Sequence, residues 1–231
     1  MQNRATNKTD QRRGGLYFLE GKPYVSVTSV LKVLDKPSIQ YWYGREVYKA
    51  MVFNPTLDEK TALAAPYKVR DKAADRGSTV HSIIESYKHT KEHIETIPEQ
   101  YRGYAQAFYS WVDQNDIEIL ANEKTVVNKE KNYAGTLDMV VKFNKTNKVF
   151  IIDIKTGKDI YAEATLQLSA YRDAMEDKVD GIAVLLLMED GKFKYQECPY
   201  KIEEFMACKT IWEWKNPDLV ELIKRYEKGG N

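Results

Sequence analysis

The stretch "VFIIDIKTGK", residues 149–158, decides how the chain is read. Phe150, Ile151, Ile152 and Ile154 make the short apolar run of a buried strand. Asp153 and Lys155 alternate onto one face of that strand, beside its core. Burying charge is costly unless it is paired and hydrogen-bonded. The pair therefore marks either a solvated end of a sheet, with Lys155 as a salt-bridge partner, or a site that uses both charges.

The upstream neighbour sharpens this choice. "MVVKF" and "KVFII" flank Asn144–Asn147, a loop of hairpin length. If the loop is centred between Lys145 and Thr146, Phe143 faces Lys148 and Asp138 faces Asp153. Directly opposed residues share a face, with Cβ atoms about 4.5–5.5 Å apart. Two unpaired carboxylates there repel each other and lose hydration. A divalent cation bound by oxygen ligands would relieve both costs. A bulge that slipped the register by one residue would separate them.

Other polar pairs occur at helical spacing. In "RGSTVHSIIESY" His81 and Glu85 stand four residues apart, on one helix face. They are either a ligand with its companion or an exposed surface contact. Gln167 and Tyr171, in "LQLSAY", repeat that spacing on the helix after Lys155 and read otherwise as a half-buried polar edge. Glu123 precedes "KTVVN" on the strand before the hairpin, where it either reaches the site or is surface charge.

Around this centre the chain changes character near Asn115. Residues 1–15 read as a flexible tail and 16–231 as a single domain, with a mainly helical part at 16–115 and an α/β core at 116–231. "LYFLEGKPYVSV" reads as two short strands around Gly21–Lys22, followed by a short helix capped by Ser26 or Thr28. Pro37 opens a second helix. The segment from Asn54 to Lys91 is mostly helical, with breaks expected near Pro66 and Gly77. Pro98 opens another helix. Three strands, a helix at 162–177, two strands and a C-terminal helix from about Ile202 to Tyr226 follow. The strand after helix 162–177 can return parallel by a crossover, so the expected sheet is mixed.

Composition sets bounds. Of 231 residues, 43% are hydrophobic and 30% charged, as in an ordinary globular protein. The net charge of +1 gives no global basic field, so any contact with nucleic acid must use a local patch. Tyrosine is abundant, with 16, and serves as core or as stacking surface. The two cysteines exclude a disulfide framework and any cluster needing four cysteines from this chain alone. No secretory h-region or membrane-spanning run is evident, which points to a cytoplasmic setting.

Taken together, Gly135-x-x-Asp138, Asp153-x-Lys155 and Gln167-x-x-x-Tyr171, with Gly77-x-x-x-His81 and Glu85 upstream, resemble the PD-(D/E)xK nuclease superfamily. More narrowly they resemble its RecB-type exonuclease branch. "VSVTSVL", residues 25–31, and the helix bearing Trp42 resemble the N-terminal part of phage and mitochondrial genome-maintenance exonucleases. The resemblance runs from about residue 24 to 175. Thr136-Leu137 stand where many members have a proline before the first aspartate, a departure that the branch tolerates.

The resemblance implies a restriction-endonuclease-like core, with a central mixed sheet flanked by helices and a helical N-terminal half. It implies a Mg²⁺-dependent deoxyribonuclease, with Mn²⁺ as substitute and no iron–sulfur cluster. The expected activity is an exonuclease on single-stranded DNA or DNA ends in replication, recombination or repair, with a phage in a bacterial host as the expected source and a single-strand-binding or recombination protein as the expected companion. The alternatives are an endonuclease of the same fold and a non-catalytic single-strand-binding module. By resemblance Asp138, Asp153, His81 and the Ile154 carbonyl hold the metal. Lys155 contacts the water or the scissile phosphate, and Glu85 meets a second metal or holds His81. Gln167 and Tyr171 orient Lys155 or the DNA, Ser26 and Thr28 meet a phosphate, and Trp42, with Tyr41 and Tyr43 beside it, stacks on bases.

Overall fold

A computed structural model describes residues 11–87 and 91–227. The strands are β1 (Gln11–Arg13), β2 (Leu16–Leu19), β3 (Lys22–Ser26), β4 (Ile117–Asn128), β5 (Tyr133–Phe143), β6 (Lys148–Lys155), β7 (Gly181–Leu187) and β8 (Phe193–Cys198). The helices are α1 (Val27–Val30), α2 (Pro37–Phe53), α3 (Glu59–Glu85), α4 (Glu99–Asn115), α5 (Ala162–Asp173), α6 (Ile202–Lys215) and α7 (Pro217–Glu227). The fold is mixed α/β, with one central mixed sheet flanked by helices.

The strands run in the order β1-β2-β3-β5-β6-β7-β8, with β4 also paired to β5. The β5–β6 hairpin keeps the register expected from its loop, from Phe143↔Lys148 to Met139↔Ile152, with no bulge. Asn147 takes the left-handed conformation that closes the turn (φ 57°), which asparagine tolerates better than most residues. The chain then crosses over through α5, and β7 lies parallel to β6. The start of β4 is set by Asp116, also left-handed, which ends α4 and reverses the chain without a loop. Asn144 ties the hairpin loop back to Asp116 through its backbone N–H and its side-chain amide, both at 3.0 Å.

Alternation along β6 explains its mixed composition. Phe150, Ile152 and Ile154 pack toward α3 and α4, in a core with Val80, Ile84, Phe108, Trp111, Leu185 and Leu187. Ile151 faces the other core, built with Leu168 of α5 and Phe205 of α6. Asp153 and Lys155 continue that second face beyond the end of its apolar cover. The N-terminal helices behave differently: α2 has no buried residue and packs on α3.

Four expectations need correction. α3 runs unbroken through Pro66 and Gly77, capped at its start by the Asp58 carboxylate on the Thr61 N–H (3.0 Å). Pro66 removes one helical hydrogen bond, but its ring is buried, and packing outweighs the local preference. The C-terminal helix is two helices. Asn216 (φ −131°, ψ 55°) leaves the helical region, as residues before proline do, and Pro217 opens α7. Gln11–Arg13, assigned to the tail, pair with β2, whereas residues 1–10 lie outside the described residues. The first hairpin also turns at Glu20–Gly21, one residue earlier than expected, with φ of 50° and 78°. No helix among the described residues is long and apolar enough to cross a membrane.

The seat of α4 on the sheet gives a direct test. A Cβ added at Gly103 would lie 1.7 Å from the Glu189 carbonyl oxygen, and backbone cannot move aside as a flexible side chain can. Gly103→Ala should therefore cost about 2 kcal/mol or more in urea unfolding. Gly44, in the exposed face of α2, has open space around it, so Gly44→Ala should add about 0.5–1 kcal/mol.

Candidate functional site: a divided sheet edge lined with acids

The site begins with a shared strand edge. β4 pairs with β5 along its whole length, so β3 and β6 must both use the opposite edge. β3 takes Tyr133 and Ala134, and β6 begins only at Met139. Gly135–Asp138 lie between them, without a strand partner on that side. A cleft of about 850 Å³ opens there, lined by Thr136 and Asp138, by His81, Ser82 and Glu85 of α3, by Glu123 of β4 and by Gln167 and Tyr171 of α5.

Side chains fill the gap in the ladder. Asp138 Oδ2 accepts the Ile154 N–H at 2.7 Å, so a carboxylate stands where a strand carbonyl would pair. Gly135 leaves room for the Tyr171 ring: a Cβ there would come within 2.3 Å of its Cε1. Gln167 Nε2 donates to Asp153 Oδ1 (3.2 Å) and to the Tyr171 hydroxyl (3.0 Å). The Gly135 motif therefore seats Tyr171, which steadies Gln167, which holds Asp153. The expectation that Gln167 orients Lys155 is thus refined, because its contact is to the carboxylate.

The register brings together a third acid. Asn122 faces Met139 and Lys124 faces Leu137, so Glu123 stands opposite Asp138. Its backbone is left-handed (φ 46°), which costs a non-glycine residue about 1–3 kcal/mol. Glu123, Asp138 and Asp153 thus come from three adjacent strands, and His81 approaches from α3. His81 Nδ1 lies 3.7 Å from both Glu123 Oε1 and Asp138 Oδ1, and Nε2–H donates to the Ile154 carbonyl at 3.0 Å. That hydrogen bond leaves Nδ1 turned toward the acids, and a backbone carbonyl commonly orients a metal-binding histidine in this way. The Ile154 carbonyl keeps a second lone pair.

Burial and like charge both act on the acids of the cluster. Burial, then the Asp153 charge, pushes the Asp138 carboxyl up to about 7, against the pull of His81 and Lys155. Burial works against a charged Lys155, but Asp153 and Asp138 outweigh it and raise its pKa. His81 behaves alike: burial opposes protonation, yet Glu123, Asp138 and the Ile154 carbonyl raise its pKa. Burial and the neighbouring Asp153 keep Tyr171 a neutral phenol by raising its pKa. Asp153 is 2% exposed, and Lys155 Nζ reaches its Oδ1 at 2.9 Å and its Oδ2 at 2.7 Å. The second approach lies off the hydrogen-bond axis, so Oδ2 has no aligned donor.

His81, Glu123 and Asp138 each offer a ligand atom within 4.8 Å of the others, a spacing that a divalent ion can bridge. A donor set rich in carboxylate with one imidazole fits Mg²⁺ or Mn²⁺, and Asp153 Oδ2, ion-paired with Lys155 but without an aligned hydrogen bond, keeps acceptor capacity.

The remaining expected residues divide. Glu85 lines the cleft rim, exposed, on the His81 face of α3. Thr28 also faces the cleft. Ser26 does not: it is 1% exposed, its hydroxyl pairs with Thr28 Oγ1 at 2.9 Å, and it makes no cap bond. Expected to meet a phosphate, Ser26 is instead enclosed where β3 leaves the sheet. Trp42 is half-buried in a neighbouring cleft beyond Lys155. Tyr17 and Thr136, which the sequence did not single out, share a 3.2 Å hydrogen bond in the cleft wall.

No family model and no curated protein matches the chain. Among solved structures it is similar to an alkaline exonuclease (LHK-Exo) from Laribacter hongkongensis, at 11% identity over 89% of this chain and 94% of that one (TM-score 0.47). LHK-Exo in complex with dAMP is similar at 10% identity over the same shares (TM-score 0.46), and SSO0001 at 14% over 81% and 74% (TM-score 0.38).

The raised Asp138 pKa gives a prediction with a definite sign. Its folded pKa, about 7, exceeds the unfolded value near 3.8, so folding takes up a proton between them. The protonated group's contribution is full below the unfolded value and is lost as pH rises through about 7. In EDTA, wild type should lose thermal stability relative to Asp138→Asn between pH 5 and 8. Added Mg²⁺ should stabilise wild type more at pH 8 than at pH 5.5, and Asp138→Asn far less at either. Scanning calorimetry at the two pH values reads both effects.

Proposed function

We propose that the chain is a Mg²⁺- or Mn²⁺-dependent deoxyribonuclease, an exonuclease that hydrolyses phosphodiester bonds of single-stranded DNA or of DNA ends. The observation that carries this reading is Glu123 and Asp138, with His81, at an open cleft, and Asp153 paired with Lys155 on the adjacent strand. A structural salt bridge would need only one of these acids. Two acids and an imidazole within 4.8 Å of one another, with a third acid on the adjacent strand, suit a cation that itself meets a phosphate.

In this reading Asp138, Asp153 and His81 hold the metal, with Glu123 and the Ile154 carbonyl beside them. The bound ion would supply Lewis-acid activation of water and charge neutralisation at the phosphate. Lys155 stays protonated against its two aspartates and places positive charge where negative charge develops on the phosphoryl oxygens. Gln167 fixes the Asp153 rotamer, and Tyr171 fixes Gln167. Glu85 and Thr28, on the rim, meet a second ion or the DNA strand. The setting we infer is intracellular, in replication, recombination or repair, with a single-strand-binding or recombination protein as companion.

Asp153→Ala and Lys155→Ala should each lower nucleotide release at least 10³-fold. Asp153→Ala should also weaken Mn²⁺ binding by calorimetry, whereas Lys155→Ala should leave it within about threefold. Wild-type rates from either purified variant would refute the assignment. His81→Ala should cost more than tenfold, and a loss under twofold would return His81 to a surface role. End-labelled linear DNA should be degraded in Mg²⁺ and spared in EDTA, while a closed single-stranded circle should survive both. Cutting of the circle would mark an endonuclease, and DNA binding without nucleotide release a non-catalytic module.

A further inference from the structure

Beside the acidic cleft lies a second one, of about 860 Å³, which shares Gln167 with it and reaches Lys155. One wall is Lys36 and the first half of α2, with Tyr41, Trp42 and Arg45. The other is the segment from β6 to α5, with Lys158 and Tyr161. Lys36, just before α2, and Glu163 on α5 form an ion pair at 3.0 Å that spans the walls at one end.

The two tyrosines have no structural task in this arrangement. Tyr41 is 73% exposed and Tyr161 62%, and among the described residues neither ring stacks on another. Lys36, Arg45 and Lys158 are matched in the lining by Asp35, Asp159 and Glu163, which leaves the half-buried, charged Lys155, paired with Asp153, at one end. Two wet aromatic faces on opposite walls suit a flat apolar group that carries an anion beside that lysine. A nucleobase with its phosphate has this chemistry. In a duplex each base face is covered by its neighbours, whereas an unpaired base offers its face to a ring.

We propose that this second cleft is a nucleobase subsite, in which one unpaired base of a DNA strand stacks between Tyr41 and Tyr161 while its phosphate lies toward Lys155. It rests on the nuclease reading only for the task given to Lys155. The substrate strand is then unpaired at the point of cleavage, and a duplex end must fray by a base before it is cut. Arg45 and Lys158 meet the phosphate on the side away from the acids.

The test separates binding from cleavage. A fluorescein-labelled oligothymidine 12-mer is titrated by anisotropy in EDTA. It is used intact and with one abasic residue placed in turn at each position. Wild type should lose about tenfold in affinity when the abasic residue falls at one position or two adjacent ones. Tyr41→Ala/Tyr161→Ala should bind the intact strand about tenfold more weakly and show no such position. Tyr41→Leu/Tyr161→Leu, which keeps apolar bulk without a π face, should behave likewise. Both residues are exposed, so the melting temperatures should stay near that of wild type. A wild type indifferent to abasic position, or a double variant that keeps the preference, overturns the subsite. Mg²⁺-dependent nucleotide release from the same strand is read in parallel. Release without a positional preference sinks the subsite and leaves the nuclease standing, and a preference without release does the reverse.

Discussion

The structure depends on one hydrogen bond that takes the place of a strand pairing. Asp138 accepts the Ile154 N–H at the point where β6 should continue its ladder with β5. This single contact lets the two strands separate without leaving a buried donor unmet, which would cost about 1–3 kcal/mol. It also fixes a carboxylate at the fork, and β3 and β6 can share one edge of β5 only because the fork exists. The cleft, the approach of His81 and the seat of Tyr171 on Gly135 all occupy the space so created.

Placing three acids along that fork sets their energetics against the stability of the fold. Asp138 is raised toward neutrality by burial and by Asp153, and Lys155 offsets only part of the charge. Glu123 adds a left-handed backbone to reach the same point. A sequence selected for stability alone would replace any of these with valine or threonine. That all are present fits the proposed metal site, and strain held at such a point is typical of a binding site.

The sequence makes part of this legible, for physical reasons. Hairpin register follows from loop length and a period of two, so the face shared by Asp138 and Asp153 could be read from "MVVKF" and "KVFII" alone, but the ladder ends one pair short of them, at Met139↔Ile152; β6 alternates as expected. Helix pairs four residues apart placed His81, Gln167 and Tyr171 on usable faces. The place of Glu123 was not decidable, because β4 carries a register shift between Ile119 and Ala121 that breaks the alternation from which a face would be assigned. Ser26 looked like an accessible cap, but its burial depends on the long-range pairing of β3 with β5. Pro66 looked like a break, because local propensity cannot register that its ring would be buried.

The same topology separates holding from reaching. The acids and Lys155 sit on central strands and are braced by α5 and by two cores, so their spacing cannot drift. α2, by contrast, buries none of its residues, is carried by α3 and reaches α5 through the ion pair of Lys36, just before it, which is of small worth. In the proposed nuclease the acidic sheet edge would supply the fixed charges that phosphodiester chemistry needs, and α2 a wall that can yield to the strand; because α2 buries none of its residues, it can leave Tyr41 in water without destabilising the centre.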